Sequence, residues 1–231
     1  MFRCIGYLAM GAAIFTALTP PAAALTSQCY GSVSKGRLEG GVQLPASGGN
    51  FVAYSALGTA AGRTYVHAQV ADVIAASYAA LRLQSADTRY VYGETGLQLG
   101  GRFAPHRTHQ NGLSVDFFVP VRNAAGQSVA LPTNPTNRLG YDIEFNAQGQ
   151  FGEYTIDFAA LAEHLAQLHL AAKVRGVGVA LVIIEPAFLP KLYATPRGAY
   201  LQKNLTFMKG KPWVRHDEHY HVDFLVACKK L

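Results

Sequence analysis

Two cysteines, Cys29 and Cys228, lie near opposite ends of the chain, and they constrain its fold more than any other feature of the sequence. A disulfide between them would join two points that about 200 residues separate. In the loop-entropy model such a crosslink stabilises a fold by on the order of 4 kcal/mol. The alternative is that both cysteines are buried free thiols.

The first 24 residues predict export, because an apolar run over residues 4–18 follows a positive residue and precedes small residues that suit cleavage after Ala24. We therefore expect residues 1–24 to be a signal peptide and residues 25–231 to form the mature domain. The alternative, an uncleaved anchor, is disfavoured because the run is shorter than the roughly 20 residues of a spanning helix. Removal of the leader takes away Cys4, and an oxidising compartment favours joining the other two cysteines. No later segment resembles a membrane span, so no stable membrane anchor is expected after processing.

The composition is that of a single folded domain, with 50% hydrophobic and 15% charged residues. The formal net charge of +6 is scattered along the chain without a run of five like charges, so no nucleic acid partner is indicated. Apolar residues at helical spacing predict a helix over residues 64–83 and a second one from Phe158, with Asp157 as its N-cap.

Short segments with strand character alternate with these helices. They are residues 89–92, 113–119, 178–184 and 219–226. This order predicts an α+β fold, a single domain with a mainly antiparallel central sheet flanked by helices. Three other segments are expected to lie outside the core. Residues 31–49 should run along the surface, and residues 132–140 and 188–198 should form loops.

Five of the eight histidines fall in two short windows, residues 106–109 and 216–221. The first window gives H-x2-H followed by H-x6-D, which ends at Asp116. The second window ends in H-x-H, which is His219 and His221. Clustering of this kind predicts a site that binds a ligand or a metal.

The spacings predict how these side chains would meet. Residues two apart on a strand share a face, so His219 and His221 would project into one cleft. Asp116 lies in an apolar strand, where a buried carboxylate must be paired or bound to metal. A turn at Gly112 would return His109 to the side of Asp116. With one histidine of the second window they make a three-ligand site with an open position, the pattern of catalytic zinc. There are two alternatives. Asp116 would instead pair with a buried Arg, and the histidines would be core or surface residues whose hydrogen bonds are satisfied.

The two windows belong to a longer series of landmarks along the chain. In order, these are Gly31, Ser32, Gly40, Leu44, Pro45, Gly100, Gly101, Arg102, Phe103, His106, His109, Gln110, Gly112, Val115, Asp116, Trp213, His216, His219, His221 and Val222. The series resembles the penicillin-insensitive murein endopeptidases, which belong to a wider group of zinc peptidases with lysostaphin and the D-alanyl-D-alanine carboxypeptidases.

The resemblance implies one zinc ion per chain, in a cleft on the sheet. Its implied ligands are His109, Asp116 and His221. It also implies that His219 acts beside the attacking water, as general base or as stabiliser of the oxyanion. The resemblance further places His106 and His216 around the same cleft as catalytic residues.

Two positions depart from the pattern of the family. Ser114 stands where the resemblance implies a second Asp. Glu218 lies three residues before His221, where a relative of the group places a carboxylate base. On a regular strand Glu218 would face away from the zinc, whereas a kink would bring it in. We favour His219 as the base, and Glu218 stays the alternative.

The implied activity is that of an exported zinc metallopeptidase in the periplasm of a Gram-negative cell. It would hydrolyse the D-alanyl–diaminopimelate cross-link between peptidoglycan stem peptides and would be insensitive to β-lactams. Two alternatives stay open, a zinc carboxypeptidase that trims stem peptides and a zinc-containing wall-binding domain without catalysis. The S-x-x-K motif at Ser32 to Lys35 is a weak sign of a serine enzyme, because no K-T-G accompanies it.

Several further side chains have both a functional and a structural interpretation. Three arginines are candidates either to bind a substrate carboxylate or to form salt bridges: Arg102, Arg107 and Arg215. Trp213 would wall the cleft or pack in the core. The remaining histidines are expected to be surface or packing residues: His67, His164 and His169.

Overall fold

The computed structural model describes Met1 and residues 26–231. The expected signal peptide and Cys4 lie outside the described residues, apart from Met1. None of the described helices is both long enough and apolar enough to cross a membrane.

Within residues 26–231 the chain forms thirteen β-strands, most of them short. They are β1 (Gln28–Ser32), β2 (Lys35–Glu39), β3 (Val42–Gln43), β4 (Phe51–Ala53), β5 (Tyr65–Val66), β6 (Tyr90–Tyr92), β7 (Ser114–Phe118), β8 (Val121–Arg122), β9 (Ser128–Val129), β10 (Gln150–Phe151), β11 (Tyr154–Ile156), β12 (Gly178–Ile183) and β13 (His219–Leu225). The same residues form five α-helices, α1 (Ala56–Ala60), α2 (Ala68–Gln84), α3 (Phe158–Val174), α4 (Leu189–Tyr193) and α5 (Gly198–Asn204). Two 3₁₀ segments cover Pro135–Gly140 and Pro186–Phe188.

A five-stranded sheet in the order β12-β13-β7-β6-β4 forms the centre of the molecule. Its strand pairs are antiparallel except β4 with β6, which run parallel. Helices α2 and α3 pack on each other, and α3 also packs on β12. The predicted α+β fold with a mainly antiparallel central sheet is therefore confirmed.

The two long helices begin at polar caps. The side chain of Asp157 accepts a hydrogen bond from the backbone N–H of Ala160 at 3.0 Å, so α3 begins where the sequence predicts. Helix α2 begins at Ala68, four residues later than expected, because residues 65–66 pair with β3. The ring of His67 caps α2, since its Nδ1 accepts from the N–H of Gln69 at 3.2 Å.

The three segments expected to lie outside the core are in part regular and buried, which corrects the prediction. Residues 31–49 belong partly to the β1–β2 hairpin, whose alternation turns Leu38 inward, and Leu44 is also buried. Residues 188–198 contain α4. This helix tolerates Pro190 because the N–H groups of a first helical turn have no partner within the helix. In residues 132–140, the side chain of Asn134 caps a 3₁₀ segment.

The disulfide between Cys29 and Cys228 is present, as expected. Backbone hydrogen bonds accompany it, from Gly31 N–H to Lys229 carbonyl and from Lys229 N–H to Cys29 carbonyl, each 2.9 Å long. The C-terminal residues therefore lie beside β1, and the two ends of the domain are joined covalently.

Candidate metal centre

A cleft of about 820 Å³ opens on one face of the central sheet. Its floor contains side chains of β7 and β13, and its walls are loops around residues 105–108, 138–144 and 213–218. Five of the six residues that the sequence predicts for the site line the cleft: His106, Asp116, His216, His219 and His221. The sixth, His109, is fully buried behind them.

The pairing of β7 with β13 brings the two sequence windows together. Asp116 and His221 are direct partners in the antiparallel register, so their side chains point to the same face. His221 Nδ1 lies 2.8 Å from Asp116 Oδ1. His219 shares the face because it lies two residues earlier, and its Nε2 is 3.9 Å from Asp116 Oδ2.

His109 reaches the site through a turn. Both His109, with a φ of 67°, and Gly112, with a φ of 77°, adopt the left-handed conformation that folds this loop back. His109 Nδ1 donates to the carbonyl of Thr95 at 3.2 Å, which leaves Nε2 with the lone pair. Nε2 lies 3.3 Å from Asp116 Oδ1 and has no hydrogen-bond partner among the described residues. Two electron-rich atoms at this separation are suited to sharing a cation, so the arrangement fits a metal ligand.

His106 lies near Oδ2, the other oxygen of the Asp116 carboxylate. Its Nε2 is 2.5 Å from Glu94 Oε2, and its Nδ1 is 3.7 Å from Asp116 Oδ2. Ligand atoms of His106, His109 and Asp116 all lie within 4.8 Å of one another, so this group could hold a metal ion.

In each candidate ligand histidine, the ring nitrogen that would not bind the metal lies within hydrogen-bond distance of an oxygen atom. The pairs are His106 with Glu94, His109 with Thr95, and His221 with Asp223, whose Oδ1 lies 2.8 Å from Nε2. Metal-binding histidines commonly have such a partner, because it fixes the tautomer and the orientation of the ring. The residues present therefore fit a metal ion with nitrogen and carboxylate ligands.

The carboxylates make the floor of the cleft strongly attractive to cations. Burial opposes a charge on His221, but Asp223 and Asp116 outweigh it and raise the pKa of this imidazole to about 10. Burial likewise raises the pKa of Asp116, and the nearby His109 and His219 outweigh that effect, so its pKa is well below the ordinary value. Asp116 is therefore ionised and available as a ligand.

The carboxylate of Glu218 is hydrogen-bonded to His219 and not to Asp116. Its Oε1 lies 2.7 Å from His219 Nδ1, which turns Nε2 of the same ring toward the cleft. Burial disfavours protonated His219, but the charges of Glu218 and Asp116 outweigh it and raise the pKa. His216 packs beside His219 with ring centroids 4.6 Å apart, and burial lowers the pKa of His216 to about 3. His216 is therefore neutral.

The sequence patterns missed three polar residues of the site. Tyr141 places its hydroxyl 3.2 Å from Asp116 Oδ2 and accepts from the N–H of Glu94 at 2.9 Å. Glu94 and Tyr141 lie in loops without a motif, so nothing local indicated them. Asp223 extends the H-x-H alternation by one more step, a signal that could have been used. It accepts a hydrogen bond from Ser114 Oγ at 2.6 Å across the β7–β13 pairing.

The remaining candidate residues divide into those that line the cleft and those that have a structural role. Trp213 is 51% exposed and walls the cleft, so the alternative of a core tryptophan is wrong. Arg215 is engaged in ion pairs, and Arg102 is exposed outside the cleft lining. The packing interpretation holds for the other three histidines, whose rings contact neighbours away from the cleft: His67, His164 and His169.

Histidines and carboxylates gathered on the floor of an open cleft are typical of metal-dependent hydrolases. The family model described as penicillin-insensitive murein endopeptidase matches residues 29–230, and the chain belongs to this family of peptidases. This confirms the resemblance seen in the sequence. A comparison with curated proteins finds no match to the chain.

Proposed function

We propose that residues 25–231 are a zinc peptidase that residues 1–24 direct to the periplasm, and that it hydrolyses the D-alanyl–diaminopimelate cross-link of peptidoglycan. The observation that carries the proposal is the buried, unpartnered Nε2 of His109, which faces Asp116 beneath an open cleft. Membership of a murein endopeptidase family supports the substrate and the compartment.

The proposed zinc ligands are His109, Asp116 and His221. Asp116 Oδ1 lies 3.3 Å from His109 Nε2 and 2.8 Å from His221 Nδ1, so the carboxylate is close enough to both imidazoles for the three residues to hold one ion. His106 is the alternative third ligand, because its Nδ1 approaches the other oxygen of Asp116.

A zinc ion held there supplies Lewis acidity for the scissile carbonyl and for the attacking water. The chain itself supplies the proton transfer. His219 Nε2 faces the cleft, takes a proton from the attacking water and delivers it to the leaving amine. Glu218 holds the opposite nitrogen and favours the protonated ring, while Tyr141 holds Asp116 in place. His106 and His216 also line the cleft.

The ligand set predicts which substitutions remove the metal. We expect His109→Ala, Asp116→Ala and His221→Ala each to lose stoichiometric zinc, because each removes a ligand atom. His106→Ala should retain zinc and serves as the matched control. Atomic absorption on the purified variants measures the content. Retention by His221→Ala together with loss by His106→Ala would replace His221 with His106 in the set.

Digestion of purified cross-linked peptidoglycan, with and without a chelator, tests the activity. We expect chelator-sensitive conversion of cross-linked dimers to monomers, resolved by mass, and no effect of penicillin because no acyl-serine forms. Loss of terminal residues alone would indicate a carboxypeptidase. Absence of cleavage by protein with one zinc per chain would indicate a wall-binding role. Ser32 and Lys35 lie at the exposed turn of the β1–β2 hairpin, which disfavours a serine enzyme.

A further inference from the structure

Among the described residues, four arginines line the cleft, and three of them are paired with carboxylates. The pairs are Arg63 with Glu94 at 2.9 Å, Arg138 with Asp142 at 3.4 Å, and Arg215 with Glu144 and Asp217 at 2.8 Å each. The acidic side chains of the cleft are also engaged by arginines, histidines or Tyr141: Glu94, Asp116, Glu144, Asp217 and Glu218.

Arg107 is the exception. It is exposed, and no carboxylate of the described residues lies within ion-pair distance. Its guanidinium carbon lies 4.7 Å from the ring centroid of Trp213, which walls the same cleft. Packing over an aromatic ring orients the guanidinium and leaves its N–H donors free in the plane of the group.

The position of this pair ties it to the site. Arg107 follows His106, and Trp213 lies three residues before His216, so the pair joins two walls of the cleft. An oriented, unneutralised guanidinium that lines the same cleft as the candidate metal ligands is suited to a carboxylate, which it can bind with two parallel hydrogen bonds.

We propose that Arg107, held against Trp213, binds the free carboxylate of the substrate that lies next to the scissile bond. This inference rests on the proposed function. In the cross-link, D-alanine acylates an amine of diaminopimelate, and the carbon bearing that amine also bears a free carboxylate. The carboxylate therefore lies one carbon from the leaving nitrogen, and Arg107 selects substrates that carry it.

The test compares two cross-linked dimers, one with this carboxylate free and one with it converted to a carboxamide. We expect Arg107→Gln to lower kcat/KM for the carboxylate dimer by about 10- to 100-fold, mainly through KM, because a charge-assisted hydrogen bond is lost. The carboxamide dimer should be cleaved by this variant and the wild type at the same rate. Arg107→Lys keeps the charge without the planar fork and should lie between them. Arg102→Gln, outside the cleft, is the matched control and should behave as wild type.

Equal losses on both dimers, or no loss on either, would overturn the role of Arg107 while leaving the endopeptidase in place. Absence of chelator-sensitive cleavage of both dimers by the wild type would overturn the proposed function and this inference together. A second readout is calorimetric binding of a stem peptide with a free diaminopimelate end to chelator-treated protein. We expect Arg107→Gln to weaken this binding, and unchanged binding would contradict the inference.

Discussion

His221 lies between two carboxylates, one on each side of its ring. Asp116 from β7 holds Nδ1, and Asp223, two residues further along β13, holds Nε2. Ser114, the register partner of Asp223, donates its hydroxyl to the same carboxylate. At the scale of residues, the geometry of the candidate ligand is therefore set by the strand pairing.

Asp223→Asn should weaken zinc binding. The carboxylate orients His221 and raises its basicity, and loss of such a partner typically costs 10- to 100-fold in metal affinity. Competition with a chelator measures the dissociation constant. Asp87→Asn changes an exposed carboxylate and is the matched control. Equal affinities for both variants would show that Asp223 does not support the ligand.

His219→Ala should keep zinc but lose orders of magnitude in kcat, because it removes the proposed base. Glu218→Gln should lose about tenfold at most, since the ring remains and only its orienting partner is weakened. Steady-state kinetics on a cross-linked dimer separate the two variants. Near-normal turnover by His219→Ala would move the role of base to Glu218.

At the scale of elements, α3 supports the strands that carry the site. Tyr220 lies between His219 and His221 on β13, so its side chain points to the opposite face. There it hydrogen-bonds to His164 of α3, and Phe117 of β7 packs on the same imidazole with ring centroids 4.8 Å apart. A single buried histidine therefore contacts both strands from behind the cleft.

The burial of His164 predicts a pH dependence of stability. Burial lowers its pKa to about 3, whereas the imidazole of the unfolded chain titrates near 6.5. Between these values the unfolded state binds one more proton, so the free energy of unfolding falls as the pH falls, by up to about 1.4 kcal/mol per pH unit. Chemical denaturation from pH 7 to 4 should show a smaller slope for His164→Gln than for wild type. His169→Gln, at a half-buried site, should retain most of the slope. An unchanged slope in His164→Gln would contradict the prediction.

Local periodicity was sufficient for the long elements and insufficient for the short ones. The sequence predicted α2, α3 and four strands of the central sheet, because a helical spacing of apolar residues and short apolar or partly alternating runs are visible within the segments themselves. It missed α4 and the inward turn of Leu38, since these short segments depend on contacts with the rest of the domain. The histidine windows predicted the cluster, while Glu94 and Tyr141 join it only through tertiary packing.

At the scale of the molecule, the Cys29–Cys228 disulfide should contribute to stability. A crosslink over this separation is worth on the order of 4 kcal/mol in the loop-entropy model, which corresponds to about 10 °C in Tm for a domain of this size. Calorimetry with and without a reducing agent measures the change. The double variant Cys29→Ser with Cys228→Ser should not respond to the reductant. An unchanged Tm in wild type, with two titratable thiols before treatment, would reject the crosslink.

The same disulfide closes residues 29–228 into one covalent ring. A pulling force applied at the two ends of residues 29–228 would pass directly through the Cys29–Cys228 bond and bypass the sheet and the cleft. A load carried through the termini would therefore leave the pairing of β7 with β13 undisturbed.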